Sequence, residues 1–218
     1  MELGLRERLA IEVSAFPADG REVEHALDLA SRLHAQDRRQ REPYANHLLR
    51  VAIRILSHYR VRDTELACAA LLHDVVEDHA GDLAPGGTRH DALALIAAQF
   101  GERVAQLVAA VTNPLPKPGR DRHQQYREHV IDSLEASPPA RVIKASDFTD
   151  NAVGLHTTGP AIERLAAKYG PLVPALRALV LRPDTPLDAD VKAMIAAQLD
   201  SAQGRLAAVW HNLRPPSQ

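Results

Sequence analysis

Apolar residues recur at helical spacing along most of this chain. Residues 23–33 and residues 48–55 each place them three or four positions apart, which predicts two amphipathic helices with one buried face. Alanine and leucine then dominate residues 64–72, which predicts an apolar helix. The other predicted helices cover residues 92–100, 102–111, 140–155, 161–169, 172–181 and 189–209, and one more polar helix contains His123, Tyr126 and Arg127.

Turn and cap signals separate these helices. Proline and glycine predict a turn at residues 16–20 and a surface loop at residues 81–88. Three prolines also predict a loop at residues 113–120, which is a candidate to border a site. Asn46 is a candidate N-cap for the helix that contains residues 48–55. Long alternating runs of β-branched residues are missing, so the sequence predicts an all-α fold.

Composition narrows the size of the domain and the classes of partner. A chain of 218 residues with 45% hydrophobic and only 4% aromatic residues fits one compact multi-helix domain, residues 1–218. The net charge of −2 gives no global basic field for nucleic acid. Cys68 is the only cysteine, the first residues are charged, and no apolar run approaches the length of a membrane span. We therefore expect a cytoplasmic protein without membrane or nucleic-acid partners.

The sequence from His73 to Asp78 carries the strongest chemical signal. The apolar helix should carry His73, Asp74, Glu77 and Asp78 inward, where unpaired charge is costly. On a continuous helix, His73 would share a face with Glu77, and Asp74 with Asp78. An adjacent imidazole and carboxylate suit one divalent metal ion, and the next turn supplies carboxylates for proton transfer.

Three other segments are ambiguous when each is taken alone. Residues 36–44 are polar and contain three arginines, and their composition favours a solvated connector over a phosphate-binding loop. His47 stands in the first turn of a predicted helix, where a single histidine is more often a surface or capping residue than a ligand. Asp147 shares a helix face with Asn151, and spacing alone favours an exposed Asp147.

Taken together, these segments resemble the hydrolase domain of the RelA/SpoT alarmone enzymes, within the HD phosphohydrolase superfamily. The matching stretches are residues 43–47, 71–78, 100–112 and 144–151. The resemblance is strongest over residues 25–155, and residues 156–218 are expected to complete the domain. Because no second catalytic domain would fit, the chain is most similar to the stand-alone small alarmone hydrolases, which include the metazoan SpoT homologues.

This resemblance implies an all-helical HD fold and a metal-dependent (p)ppGpp 3′-pyrophosphohydrolase, which releases pyrophosphate by attack of metal-activated water. It implies one divalent ion, with Mn²⁺ expected first and Fe²⁺, Zn²⁺ or Co²⁺ as alternatives. The metal ligands carried over by motif are His47, His73, Asp74 and Asp147, and the catalytic acidic pair is Glu77 and Asp78. The substrate contacts carried over are Arg38, Arg39, Asn151, Lys144 and Tyr169.

The substrate, however, stays open on the sequence. Arg41, Phe148 and Asp150 depart from the family pattern, and two of these three lie beside the expected nucleotide contacts. The alternatives are an HD phosphohydrolase acting on (p)ppApp, NADPH or a nucleoside monophosphate, and a non-catalytic nucleotide-binding module, against which the intact acidic groups argue. A homo-oligomer, and an alarmone synthetase to which the chain would be the antitoxin, also stay open as partners.

Overall fold

The computed structural model describes residues 1–16, 20–39, 42–153 and 160–213, and its regular structure is almost entirely helical. The predicted all-α class is therefore confirmed. The chain divides into two compact units, Met1–Asn113 and Pro114–Gln218, which we treat separately. The single domain expected across residues 1–218 therefore remains a prediction. No helix in the described ranges is long and apolar enough to cross a membrane.

The first unit contains eight helices among its described residues. They are α1 (Glu2–Ser14), α2 (Arg21–Leu33), α3 (Ala45–Ile53), α4 (Thr64–Leu72), α5 (Val75–Asp78), α6 (Ala80–Leu83), α7 (Arg89–Phe100) and α8 (Glu102–Val111). A π-helical turn, Arg54–His58, extends α3. The periodicity located α2, α4, α7 and α8 correctly. The predicted turn at residues 16–20 falls mostly on residues 17–19, which lie outside the described residues.

Helix α4 forms the centre of the first unit. Its residues from Leu66 to Leu72 are each at most 1% exposed, and the helix packs against α2, α3 and α8. Asp63 caps its first turn by accepting a hydrogen bond from the Leu66 amide. Cys68 lies within this buried run, and burial raises the pKa of its thiol to about 12. Because α4 is apolar on all its faces, it is buried by neighbouring helices on several sides.

The polar connector before α3 contains a small hairpin that the helical pattern did not predict. Strand β1 (Arg38–Arg39) pairs antiparallel with strand β2 (Glu42–Pro43). Tyr44 occupies the N-cap position of α3, so the prediction that Asn46 caps this helix is wrong. Asn46 is buried inside the helix, where its side-chain amide donates a hydrogen bond to the Glu42 carboxylate instead.

The continuous helix expected through the His-Asp sequence is interrupted. Helix α4 ends at Leu72, His73 and Asp74 form a turn, and α5 begins at Val75. One backbone bond from the Asp78 amide to the Asp74 carbonyl keeps these two residues one turn apart. The predicted pairing of His73 with Glu77 on one continuous helix is therefore wrong. The loop predicted at residues 81–88 is also partly helical, because α6 covers its start.

The second unit contains five helices among its described residues. They are α9 (Arg122–Ala136), α10 (Pro138–Phe148), α11 (Pro160–Tyr169), α12 (Val173–Val180) and α13 (Ala189–Leu213). Proline at the first two positions of α10 suits a helix start, where the amide needs no partner within the helix. A π-helical turn, Thr149–Val153, follows α10, and the predicted end of this segment at Leu155 lies outside the described residues.

Candidate metal centre

Two histidines in the first unit converge on one carboxylate. The Nε2 atom of His73 lies 3.1 Å from Oδ2 of Asp74, and the Nε2 atom of His47 lies 3.7 Å from the same oxygen. Both histidines are buried, so the interpretation of His47 as a surface or capping residue is wrong. Helix α3 supplies His47 from its first turn, and the turn between α4 and α5 supplies His73 and Asp74.

Hydrogen bonds fix the orientation of this group. The Nδ1 atom of His73 lies 2.8 Å from the Ala70 carbonyl oxygen, which can only accept, so Nδ1 carries a proton. In the neutral ring, Nε2 then presents its lone pair to the carboxylate of Asp74. The Tyr44 hydroxyl donates to the same Asp74 oxygen over 2.6 Å. A lone pair facing an anionic oxygen is repulsive unless a cation lies between them, and a divalent metal suits this donor set.

Glu77 is held in a fixed position by a neighbouring loop residue. The Asn113 backbone amide donates to Oε2 over 3.1 Å, and the Asn113 side-chain amide donates to Oε1 over 2.9 Å. Arg89 donates to the backbone carbonyls of both Asn113 and Glu77. Both carboxylate oxygens of Glu77 therefore have a donor, while the side chain stays half-buried. A carboxylate oriented in this way can accept a proton from a defined direction.

Asp78 differs from Glu77 in its surroundings. It is exposed, so the expectation that its side chain points inward is wrong. Partial desolvation, followed by repulsion from the carboxylates of Asp74 and Glu77, raises the pKa of Asp78 to about 6. A carboxyl group with this pKa can exchange a proton near neutral pH.

Asp147 lies in the second unit, on α10. It is 5% exposed, so the interpretation of Asp147 as an exposed helical residue is wrong. Lys144 donates to its Oδ2 over 3.1 Å, and Asn151 donates to its Oδ1 over 2.5 Å. Burial would lower the pKa of Lys144, but Tyr126 and Asp147 outweigh it and raise that pKa well above its ordinary value. Lys144 therefore stays charged beside the Asp147 carboxylate.

Aromatic and cationic side chains also meet in the second unit. The Lys168 ammonium lies 4.7 Å from the centre of the Tyr126 ring and 5.1 Å from that of Tyr169. Tyr169 is buried and packs edge-on against Phe148, with ring centres 5.5 Å apart. Phe148 is thus a core residue, which explains the apolar side chain at a position where the family pattern differs.

The two arginines of β1 differ in exposure. Arg38 is exposed, whereas Arg39 is half-buried with its guanidinium 6.0 Å from the centre of the Tyr44 ring. At that distance a cation is still attracted by an aromatic face. Arg41 lies outside the described residues.

Sequence reasoning gave no role to Tyr44 or Asn113. Tyr44 stands three residues before His47, at the start of α3, and this spacing was a usable signal because positions three apart share a helix face. Asn113 begins the proline-rich loop that was a candidate to border a site, but no spacing signal gave the residue itself a contact. It lies beyond the end of α8 and reaches Glu77 from 36 residues away in the sequence.

Comparisons with known proteins agree with this arrangement. The family profile described as HD domain matches residues 26–130. MESH1, a guanosine-3′,5′-bis(diphosphate) 3′-pyrophosphohydrolase, is 38% identical over 141 residues in Homo sapiens, covering 62% of this chain and 70% of that protein. The Xenopus tropicalis MESH1 is 34% identical over 147 residues, covering 66% of this chain and 74% of that one.

A longer bacterial protein and a solved structure are also similar. The guanosine-3′,5′-bis(diphosphate) 3′-pyrophosphohydrolase of Aquifex aeolicus is 33% identical over 152 residues, which are 69% of this chain but only 20% of that protein. A solved structure described as a metazoan ortholog of SpoT that hydrolyses ppGpp superposes with a TM-score of 0.63 at 25% identity. This match covers 88% of the present chain and 97% of the other.

Proposed function

Because this chain belongs to the MESH1 family of HD-domain pyrophosphohydrolases, we propose that it removes the 3′-pyrophosphate of (p)ppGpp and releases GDP or GTP with pyrophosphate. The observation that carries the proposal is the convergence of His47 and His73 on Asp74, with Glu77 held one turn further along the chain. This arrangement combines a donor set for a divalent cation with an oriented proton acceptor.

The HD domain implies a divalent metal, and the donor set of the first unit fits one. The Nδ1 proton of His73 is committed to a backbone carbonyl, which leaves Nε2 in the form that binds metal. We propose His47, His73 and Asp74 as ligands, and we assign Asp147 to the same set on the family motif. The ion would lower the pKa of water and draw charge from a phosphoryl oxygen.

The chain's own side chains would do the remaining work. Glu77 would accept the proton of the attacking water, since its two oxygens are aligned by Asn113. Asp78 would assist as a second proton carrier, because its raised pKa lies near the working pH. Tyr44 would hold the Asp74 carboxylate in place through its hydroxyl.

We assign the nucleotide contacts on the family motif as well. Lysine and arginine are suited to phosphate, and Arg38 is exposed where it could meet a substrate. Lys144 and Asn151 already contact Asp147, so they would link the nucleotide to that carboxylate. The complete proposed set is Arg38, Arg39, Lys144, Asn151 and Tyr169.

Four finer statements rest on the family resemblance and, for the location, on the composition of the sequence. We propose Mn²⁺ as the native metal, with Fe²⁺, Zn²⁺ or Co²⁺ as the alternatives that the same ligands accept. We also propose a cytoplasmic location. A homo-oligomer and an alarmone synthetase acting in trans are proposed partners, and co-purification with a synthetase would test the latter.

The substrate is tested by turnover of the purified, Mn²⁺-loaded protein. The panel contains ppGpp, pppGpp, ppApp, NADPH, GMP and AMP, and pyrophosphate and orthophosphate are measured separately. We expect pyrophosphate from ppGpp and pppGpp. Pyrophosphate from ppApp alone would change the base, and orthophosphate from NADPH or a monophosphate, with alarmones untouched, would contradict the proposed reaction.

The division of roles between ligand and base predicts different defects in two variants. Asp74→Ala should lose both the metal and turnover, because it removes the carboxylate on which both histidines converge. Glu77→Gln should retain the metal but lower kcat by about 100-fold or more, since a general base typically contributes 10²–10⁴. Metal content and kcat measured on both proteins check this. Loss of metal from Glu77→Gln would contradict the assignment.

A further inference from the structure

A second histidine cluster lies in the first unit, outside the group around Asp74. His34 at the end of α2 and His79 after α5 both approach Asp37, and both ring nitrogens lie 2.7 Å from its Oδ2 atom. The other ring nitrogen of His79 lies 2.8 Å from Oδ2 of Asp82. His34, Asp37 and His79 each offer one donor atom, and these atoms lie within 4.8 Å of one another.

The hydrogen bonds of this cluster determine where its protons lie and how its charges balance. A carboxylate oxygen only accepts, so the two contacts of His79 with Asp37 and Asp82 require a proton on each ring nitrogen. Burial would lower the pKa of His79, but hydrogen bonds to Asp82 and Asp37 outweigh it and raise that pKa. His79 therefore stands as a cation between two anions. The single positive charge of His79 compensates only one of the two negative charges carried by Asp37 and Asp82.

From this geometry we propose that His34, Asp37 and His79 form a second divalent-cation site, suited to Zn²⁺ or another transition metal that accepts mixed nitrogen and oxygen ligands. Binding would replace the proton on Nε2 of His79. The other ring nitrogen, Nδ1, would keep its proton and donate it to Asp82, which then orients the ring as carboxylates do for metal-bound histidines. His34 is 2% exposed, and burial lowers its pKa, so its ring is neutral. The contact with Asp37 places the single proton of this ring on Nδ1, and that proton would move to Nε2 when Nδ1 binds the ion.

The distances from Asp37 to the two rings are shorter than those between two ligands of one ion. Donor atoms about 2.05 Å from a tetrahedral ion lie roughly 3.3 Å apart, against the 2.7 Å now found between Asp37 and each ring. An outward shift of about 0.6 Å at the Asp37 carboxylate would correct these two distances. The two ring nitrogens, which lie within 4.8 Å of each other, would also have to stand roughly 3.3 Å apart. Asp37 can move, because its side chain is 35% exposed. The same exposure gives a cation a route in and leaves a coordination position open to solvent.

Tyr44 joins the new site to the first one. Its ring stacks on His34 with ring centres 4.5 Å apart, and its hydroxyl donates to Asp74. A cation at the second site would therefore bind next to Tyr44, whose hydroxyl orients Asp74, a proposed ligand of the first site.

The test counts Zn²⁺ bound to the full-length, chelator-treated protein by equilibrium dialysis and elemental analysis. We expect two ions per wild-type chain, one for His79→Gln, one for Asp74→Ala and none for the double variant. His90→Gln is the matched control, since His90 is exposed in the same unit, and should bind two. One ion on the wild type, or two on His79→Gln, would overturn the second site.

A milder variant keeps the test valid if His79→Gln does not fold. Asp82→Asn retains all three proposed ligands and changes only the residue that orients His79. It should weaken the second Zn²⁺ site about 10- to 100-fold, as other losses of a ligand's hydrogen-bond partner do, and leave the first site unchanged. An unchanged affinity of the second site in Asp82→Asn would contradict the orienting role of Asp82. Failure of both Asp82→Asn and the wild type to bind a second ion would overturn the site.

Discussion

Replacing Asn113 with alanine probes how the orientation of Glu77 contributes to turnover. The change removes the 2.9 Å bond from the side-chain amide to Oε1 and leaves the backbone amide bond to Oε2 in place. Glu77 would then pivot about its remaining bond. A hydrogen bond to a charged group is worth about 1.5–3 kcal/mol, and the half-buried position reduces this to roughly 1–2 kcal/mol.

If the lost interaction is made fully in the transition state, this energy corresponds to a fall in kcat of about 5- to 30-fold. The assay is the initial rate of pyrophosphate release from ppGpp with saturating Mn²⁺, with kcat and KM obtained separately. KM should change little, because Asn113 contacts Glu77 and not a proposed nucleotide contact. Metal content should equal that of the wild type.

Gln106→Ala is the matched control. Gln106 also donates a side-chain amide to a glutamate, but this pair lies on the exposed surface of α8, so kcat should not change. A wild-type kcat in Asn113→Ala would refute the idea that this amide positions the base. A fall in kcat accompanied by loss of metal would refute it too, since the defect would then lie in the ligand set.

Three further predictions concern stability and are checked by denaturation. Arg141→Met should cost about 2–4 kcal/mol, because the buried side chain would no longer donate to the Leu134 and Glu135 carbonyls. Exposed Arg182→Met should stay within about 1 kcal/mol. Gly101→Ala should cost about 1–3 kcal/mol because φ is +91°, whereas helical Gly81→Ala should stabilise slightly. In metal-free protein, the wild type should have a higher Tm than His79→Gln, and this difference in Tm should be largest below about pH 6 and shrink as the pH rises. The reason is that folding raises the pKa of His79, so the protonated ring stabilises the folded state. A difference in Tm that grows with pH would contradict this.

Most helices could be predicted from the sequence because their burial is one-sided and periodic. Helix α4 has no polar face, yet a run of alanine and leucine bounded by Asp63 is also a strong local signal. The interruption at His73 and Asp74 could not be foreseen in this way. Neither residue breaks a helix by its own backbone preference, and the turn is favoured by contacts with Tyr44 and His47 from another part of the chain.

Burial of the polar candidates was the least predictable property. Propensity and spacing treat a single His47 or Asp147 as surface residues, because most such residues are exposed. Their burial depends on partners distant in sequence or supplied by the next turn, as Lys144 and Asn151 are for Asp147. Family resemblance identified these positions where periodicity could not, since it carries information on the assembled site.

Asn113 marks the limit of both approaches. It lies in a proline-rich connector that composition assigns to a loop, and the resemblance attached no function to it. Its contact with Glu77 exists only because α8 returns the chain to α5 after two intervening helices. A long-range hydrogen bond of this kind leaves no periodic trace in the sequence.

The burial of Cys68 offers a built-in reporter for the first unit. Its thiol is 1% exposed inside α4, and its pKa is about 12, so the reactive thiolate is scarce at neutral pH in the folded state. A thiol reagent can modify the side chain only when the surrounding helices separate. Because it is the only cysteine in the sequence, the labelling rate measures how often the helix that leads to the proposed metal ligands opens, without any engineered probe.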